Sequence, residues 1–341
     1  MLTTFAHGRP ARDIVHGGRV TIDVPPHPFP SATPVQKRLT RSDFGWVIVI
    51  VTLWGFAFVP IKWALVDVPP FMLAALRFLF AAVPAAFLVA RPQLAWRLVA
   101  AYGIAIGVVQ FGLLFLGMQL GMPAGLSSLV IQLQVFFTIA LAVAFAGDRL
   151  HRWNVAGALV AIAGVIVLAA YKVAGGLSAP LAGFLLVVVA AFAWGVGNVI
   201  AKRAKGVDMF ALVVWSSFVP PPILATVSYF VEGPQAFTSV LNASALTWFS
   251  VLFLAWGATL FGFSSWNRLL QRYPSPLISP FALLIPVSGL ASGALFLDER
   301  LSAMQALGVA LVFAGLTINV FGPGIWARWR IAARARRRAP S

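Results

Sequence analysis

Three glutamines stand inside long apolar runs of this chain: Gln132 and Gln134 near the middle of one, Gln110 somewhat past the middle of another. Hydrocarbon does not solvate an amide, so each is costly there and therefore informative. Asn198 is a fourth amide in such a run, and Trp54, Trp194 and Trp256 fall near mid-depth rather than in an interfacial belt. An uncharged amide binds an amino or carboxyl group through hydrogen bonds, and an indole offers an amphipathic wall. Together they predict a moderately polar cavity for a small zwitterion or a similar metabolite. For each glutamine, a helix-to-helix hydrogen bond that serves packing alone is the competing reading. Trp54 and Trp194 recur in the two halves of the chain and lean towards a structural role.

Lys62 and Arg77 are the cations within apolar runs, and both are expected towards the outer ends of their helices. Snorkelling to the interface would account for them; so would attraction of a substrate carboxylate at the outer mouth. The nine acidic residues all fall in tails, loops or helix ends. Without a mid-membrane carboxylate or His, a proton relay or sodium cage is hard to build. Facilitated export or exchange, driven by the substrate's own gradient, fits better. The chain has no Cys, and its four His lie in tails or loops. An enzyme would need a nucleophile, a base or a metal site at membrane depth, and the sequence supplies none. No cofactor and no metal are expected.

The elements that must hold these residues are membrane helices. Hydrophobic residues make up 60% of the 341 and charged residues 10%, with many apolar runs of roughly 20 residues, the length that spans a bilayer as a helix. Ten spans are expected, at about 44–66, 71–90, 98–120, 123–146, 153–171, 181–201, 209–231, 245–269, 275–297 and 303–322. Residues 1–42 and 323–341 read as basic tails, the first disordered and without the apolar core of a cleaved signal peptide. The net charge of +16 does not indicate nucleic acid, because the cations sit between spans and at the ends. With both ends in the cytoplasm, 21 of the 25 Lys and Arg residues fall inside.

The chain also repeats itself. Trp54-Gly55 with Lys62 returns 140 positions later as Trp194-Gly195 with Lys202. Gly147-Asp148-Arg149-Leu150 is matched 151 positions on by Asp298-Glu299-Arg300-Leu301, and Gly157 and Gly164 by Gly308 and Gly315. Two units are expected, 43–173 and 174–322. Five crossings per unit insert the second upside down, and inverted repeats of this type permit alternating access to a central cavity. Pro280 and Pro286 should kink the ninth span and Pro220-Pro221-Pro222 the seventh.

Trp54-Gly55 with Lys62, then Pro69-Pro70 and Leu76-Arg77-Phe78, resemble the start of an EamA domain of the drug/metabolite transporter superfamily. Leu297 to Leu301 and the Gly308 and Gly315 pair resemble the end of a second copy. Within that family, Gly121 to Val130 continuing to Gln132 and Gln134, with Arg91-Pro92 and Asn319 to Gly322, is similar to members that export O-acetylserine and cysteine. The resemblance implies an all-α integral membrane fold of ten helices, both ends cytoplasmic, in a bacterial inner membrane. It implies efflux of amino-acid-pathway metabolites, with membrane lipids as neighbours and a homodimer left open. Gly147-Asp148 departs from the acid pair of the second copy, which argues against a role for such a pair there. Export of other amino acids or drugs, and a flippase for a lipid-linked substrate, are the alternatives on the same scaffold.

Overall fold

In the computed structural model the described residues are 39–146, 150–174, 178–204, 206–273 and 275–338. They form helices and connecting turns without a strand. The spans are Arg41–Ala64 (span 1), Pro70–Ala86 (2), Trp96–Gln119 (3), Ala124–Phe145 (4), Arg152–Tyr171 (5), Leu181–Arg203 (6), Met209–Val231 (7), Ala245–Trp266 (8), Pro280–Leu297 (9) and Ala303–Gly322 (10). Span 2 is the shortest at 17 residues, about 26 Å of helix, and still crosses most of a hydrocarbon core. Residues 1–38, the first-copy loop Gly147 to Arg149 and the turn at Gly175 to Leu177 lie outside the described residues.

Helix extends beyond two of the expected span boundaries. Thr40 already caps the first helix, its hydroxyl oxygen accepting from the Asp43 amide at 3.1 Å, so residue 41 belongs to span 1 rather than to a tail. The last helix runs on through Pro323 to Arg338, where a tail was expected.

The repeats are inverted, and the packing of spans 5 and 10 shows it. A Cβ on Gly157 would lie 2.6 Å from the Gly315 carbonyl oxygen, and one on Gly164 would lie 2.7 Å from that of Gly308. Gly308 is the repeat equivalent of Gly157, and Gly164 that of Gly315. One contact therefore maps onto the other with the partners exchanged, as a twofold axis across the helices requires. The same operation explains the repeated Trp-Gly pair. Gly55 lies against Ser288 and Gly289 of span 9, and Gly195 against Phe137 and Thr138 of span 4, positions 151 apart. The glycine is there to let two backbones meet.

Four spans contain π-helical or 3-10 segments, again in symmetric pairs. Spans 3 and 8 contain π-helical segments, Gly103–Gln110 and Phe253–Phe261. Spans 4 and 9 contain 3-10 segments, Ile131–Leu133 and Ser279–Leu283. The prolines foretell the breaks in span 9 and in span 7, which breaks just before Pro220. No proline marks the other three, so side-chain chemistry alone did not foretell them.

The Gly157–Gly315 crossing leaves no room for a methyl group. Gly315→Ala is expected to cost about 1–3 kcal/mol, as overpacking does, and to lower the melting midpoint of detergent-purified protein. Gly45→Ala, which has nothing within 4 Å of its new Cβ, should leave it unchanged.

Candidate functional site

Gln134 begins the second half of span 4, immediately after the 3-10 segment. Its Oε1 accepts 2.7 Å from Asn198 Nδ2 of span 6 and 3.3 Å from the Thr138 hydroxyl one turn on. Asn198 Nδ2 also donates to Thr138 Oγ1 at 3.0 Å. Gly195, one turn before Asn198, admits span 4 at Phe137 and Thr138 and so brings the two amides together. The cluster joins the first repeat to the second and is only partly buried. Thr138 was missed in the sequence; its position four residues after Gln134 was the available signal.

This cluster breaks the symmetry that surrounds it. Asn198 corresponds to Phe58 at the 140-residue offset, and Gln134 to Ile285 at the 151-residue offset. The scaffold needs only apolar side chains at this contact in one copy, so packing alone does not call for amides in the other.

The other candidates are dispersed. Gln132 is 4% exposed and donates through Nε2 to the Ala282 carbonyl of span 9 at 3.2 Å, bridging the two 3-10 segments. Gln110 ends the π-helical segment of span 3, and its Nε2 is buried without a hydrogen-bond partner. Trp54 donates to the Ala258 carbonyl at 2.8 Å and lies against Phe263 and Trp266, which is a packing role. Trp194 is partly buried against the main core. Trp256 is half exposed on the outside of the bundle and donates to the Phe80 carbonyl at 3.0 Å, so it does not join the amides. Lys62 donates to the Met118 carbonyl at the end of span 3, 2.6 Å away.

Arg77 is where the structure differs most from expectation. It is the eighth of the 17 residues of span 2 and 4% exposed, so it sits at mid-depth inside the bundle rather than at an outer mouth. Snorkelling is excluded by that burial.

The acids turn out to cap helices. Glu232 accepts from the amides of Phe71 and Met72 at the start of span 2, at 2.8 and 3.3 Å. Glu299 accepts from those of Ala124 and Gly125 at the start of span 4, at 2.5 and 2.8 Å. Asp67 accepts from the Ser244 amide at 2.9 Å and the Thr247 hydroxyl at 2.6 Å, at the start of span 8. Each carboxylate meets the positive end of a helix dipole and its orphan N–H groups. All three pairs cross between the repeats, at the end of the bundle carrying the 1–2, 3–4, 7–8 and 9–10 connections. At the other end Asp43 accepts from Tyr273 Oη at 2.7 Å and pairs with Arg272 at 3.3 Å, tying span 1 to the end of span 8.

Glu299→Ala leaves two amides uncapped and is expected to cost about 1–3 kcal/mol in a melting experiment. Hydrogen bonds from Ser244 and Thr247 hold the Asp67 carboxyl below the usual carboxylate range. Its contribution is therefore complete at neutral pH and is lost as pH falls through the lowered folded value. The difference in melting midpoint between the native chain and Asp67→Asn should stay constant from pH 8 to about 5 and shrink below about pH 4.

The model of the EamA-like transporter family matches residues 44–170 and 181–321. A protein of Escherichia coli K12 named "probable amino-acid metabolite efflux pump" is 42% identical over 301 residues, 87% of this chain and 99% of its own length. A Streptantibioticus cattleyicolor protein named "probable terminal-alkyne amino-acid exporter" is 27% identical over 292 residues, 82% of this chain and 94% of its own. A solved crystal structure that is 23% identical shares the fold, with a TM-score of 0.58 over 81% of this chain and 95% of that one. The chain thus belongs to the EamA-like transporter family and is a multi-pass membrane transporter rather than an enzyme.

Proposed function

We propose that this transporter exports small amino-acid-pathway metabolites of the O-acetylserine and cysteine kind across the inner membrane by alternating access. The observation that carries the reading is the Gln134–Thr138–Asn198 cluster, an uncharged polar group between inverted repeats whose symmetry mates are apolar. Amide oxygens accept from an ammonium group and amide N–H groups donate to a carboxylate, so such a cluster suits a zwitterion without holding it as tightly as a fixed charge would. The names of the relatives support cargo of amino-acid type. In this reading the carboxylate caps close one end of the pathway while the other opens, and Asp43 with Tyr273 closes the other in turn. Among the described residues no carboxylate lies at mid-depth, which favours facilitated export or exchange over proton coupling.

The test is efflux from cells carrying the gene on a plasmid, with extracellular O-acetylserine, cysteine and the other amino acids quantified against a vector control. O-acetylserine or cysteine should rise with the gene. Gln134→Ala and Asn198→Ala should each lower the excess about tenfold, the equivalent of about 1.4 kcal/mol, at equal protein in the membrane. A rise in another amino acid alone would replace the substrate and keep the transporter. If no solute moves, lipid-linked cargo becomes the better reading. Concentrative transport driven by a pH gradient alone in vesicles would overturn the uncoupled mechanism.

A further inference from the structure

Spans 2, 3, 7 and 8 enclose a second polar place, separate from the amide cluster. It is a chamber of about 20 Å³, room for about one water-sized group, lined among others by Arg77, Tyr102, Phe111, Ser216 and Thr259. The two π-helical segments, Gly103–Gln110 and Phe253–Phe261, form two of its sides. Such segments are frequent at functional sites, because the extra residue per turn re-aims side chains and frees backbone groups. Thr259 illustrates this: its hydroxyl donates 2.9 Å to the Leu254 carbonyl, five residues back. Its oxygen is then left to accept from Arg77 Nη2 at 3.1 Å.

The guanidinium is held as a fork would be held for a ligand. Its Cζ lies 3.9 Å from the centre of the Phe111 ring, which fixes the plane, and Thr259 fixes one nitrogen. Its Nε is buried with no hydrogen-bond partner. Among the described residues no acidic side chain lines the chamber. Ser216 and Ser217 donate their hydroxyls to the Val213 carbonyl, at 3.0 and 2.7 Å, and neither oxygen takes up the Arg77 Nε–H. A desolvated guanidinium with no counter-charge costs several kcal/mol, and a ring face and one hydroxyl offset only part of that. As with the amide cluster, symmetry is broken here: at the 140-residue offset of the Trp-Gly repeat, Arg77 corresponds to Ser217. Packing in the second copy is satisfied without a charge.

We infer that the Arg77 chamber is a binding site for a monovalent anion, recognised by the free edge of the guanidinium. The same chemistry is offered by the carboxylate end of a transported solute and by an inorganic anion such as chloride. Chloride, somewhat larger than the one water-sized group the chamber holds, would enter with a small widening, and a carboxylate would enter by its tip with more. Ile106, which lines the chamber and packs on Gly197 beside Asn198, separates this site from span 6. The site does not depend on O-acetylserine being the cargo.

The experiment is thermal unfolding of the purified full-length chain in detergent, titrated at constant ionic strength with chloride replacing a bulky aromatic sulfonate that carries no carboxylate, and separately with acetate and with acetamide. A saturable rise in midpoint with chloride alone assigns the inorganic source. A rise with acetate and not with acetamide assigns the carboxylate, and a rise with both anions assigns the shared chemistry. The response should disappear in Arg77→Gln and need a several-fold higher anion concentration in Thr259→Val, which keeps the charge and loses the hydroxyl. If neither anion moves the midpoint of the native chain, the inference is overturned, whether or not Arg77→Gln folds. It is overturned equally if Arg77→Gln folds and responds as the native chain does. Because no transport is measured, failure here leaves the export assay to be judged on its own.

Discussion

A backbone in hydrocarbon must satisfy its own hydrogen bonds, and the main departures from regular helix in this molecule sit where something else satisfies them. The starts of spans 2, 4 and 8 receive carboxylates. The 3-10 segment at the start of span 9 receives the Gln132 amide on its Ala282 carbonyl. In the π-helical segment of span 8, the Leu254 carbonyl is taken by the Thr259 hydroxyl. The interior of a regular helix would need none of these side chains, and only its start needs a cap. Several polar residues are therefore tied to helix ends and irregular backbone, and the two π-helical segments line the Arg77 chamber.

Those same contacts hold the repeats together. Apolar side chains gain little by leaving lipid for each other, so close backbone approach and interhelical hydrogen bonds must do more of the work. Gly157 with Gly315 and Gly55 with Ser288 supply the approach. Glu232, Glu299 and Asp67 supply charge-assisted bonds at one end, and Asp43 with Tyr273 supplies one at the other. The charge-assisted bonds between halves thus lie at the two ends of the bundle, and the close glycine crossings lie between them. An arrangement of that kind can loosen at one end without unpacking the middle.

The chain shows its architecture openly and its site only in part. Hydropathy gives the spans because an apolar run of about 20 residues has few other fates. The recurrence of Trp-Gly and of paired glycines gives the inversion because close helix crossings tolerate little else. Gln134 and Asn198 stand out as amides in apolar runs, yet that they touch follows only from Gly195 lying against span 4, a tertiary fact. Arg77 was placed too near the membrane surface because span 2 was read as longer than it is; its helix ends at Ala86 and the residue falls near its centre. The acids were read by what they exclude. Their capping role depends on loops from opposite repeats meeting, which no local pattern encodes.

Symmetry supplies a control that a single fold seldom offers. Where both copies carry the same residue at the same contact, as at Gly55 and Gly195, the scaffold alone accounts for it. Where one copy is polar and its mate apolar or neutral, the scaffold has been shown to do without the polar group. Gln134 with Asn198 against Ile285 with Phe58, and Arg77 against Ser217, are departures of this second type, and both lie within the membrane. One is uncharged and partly open; the other is charged, enclosed and fixed on an aromatic ring. A zwitterion presents the matching pair of needs, an ammonium that weak acceptors can hold and release and a carboxylate that only a strong donor can strip of water. Selection for packing would have had no reason to separate those two chemistries onto different helices.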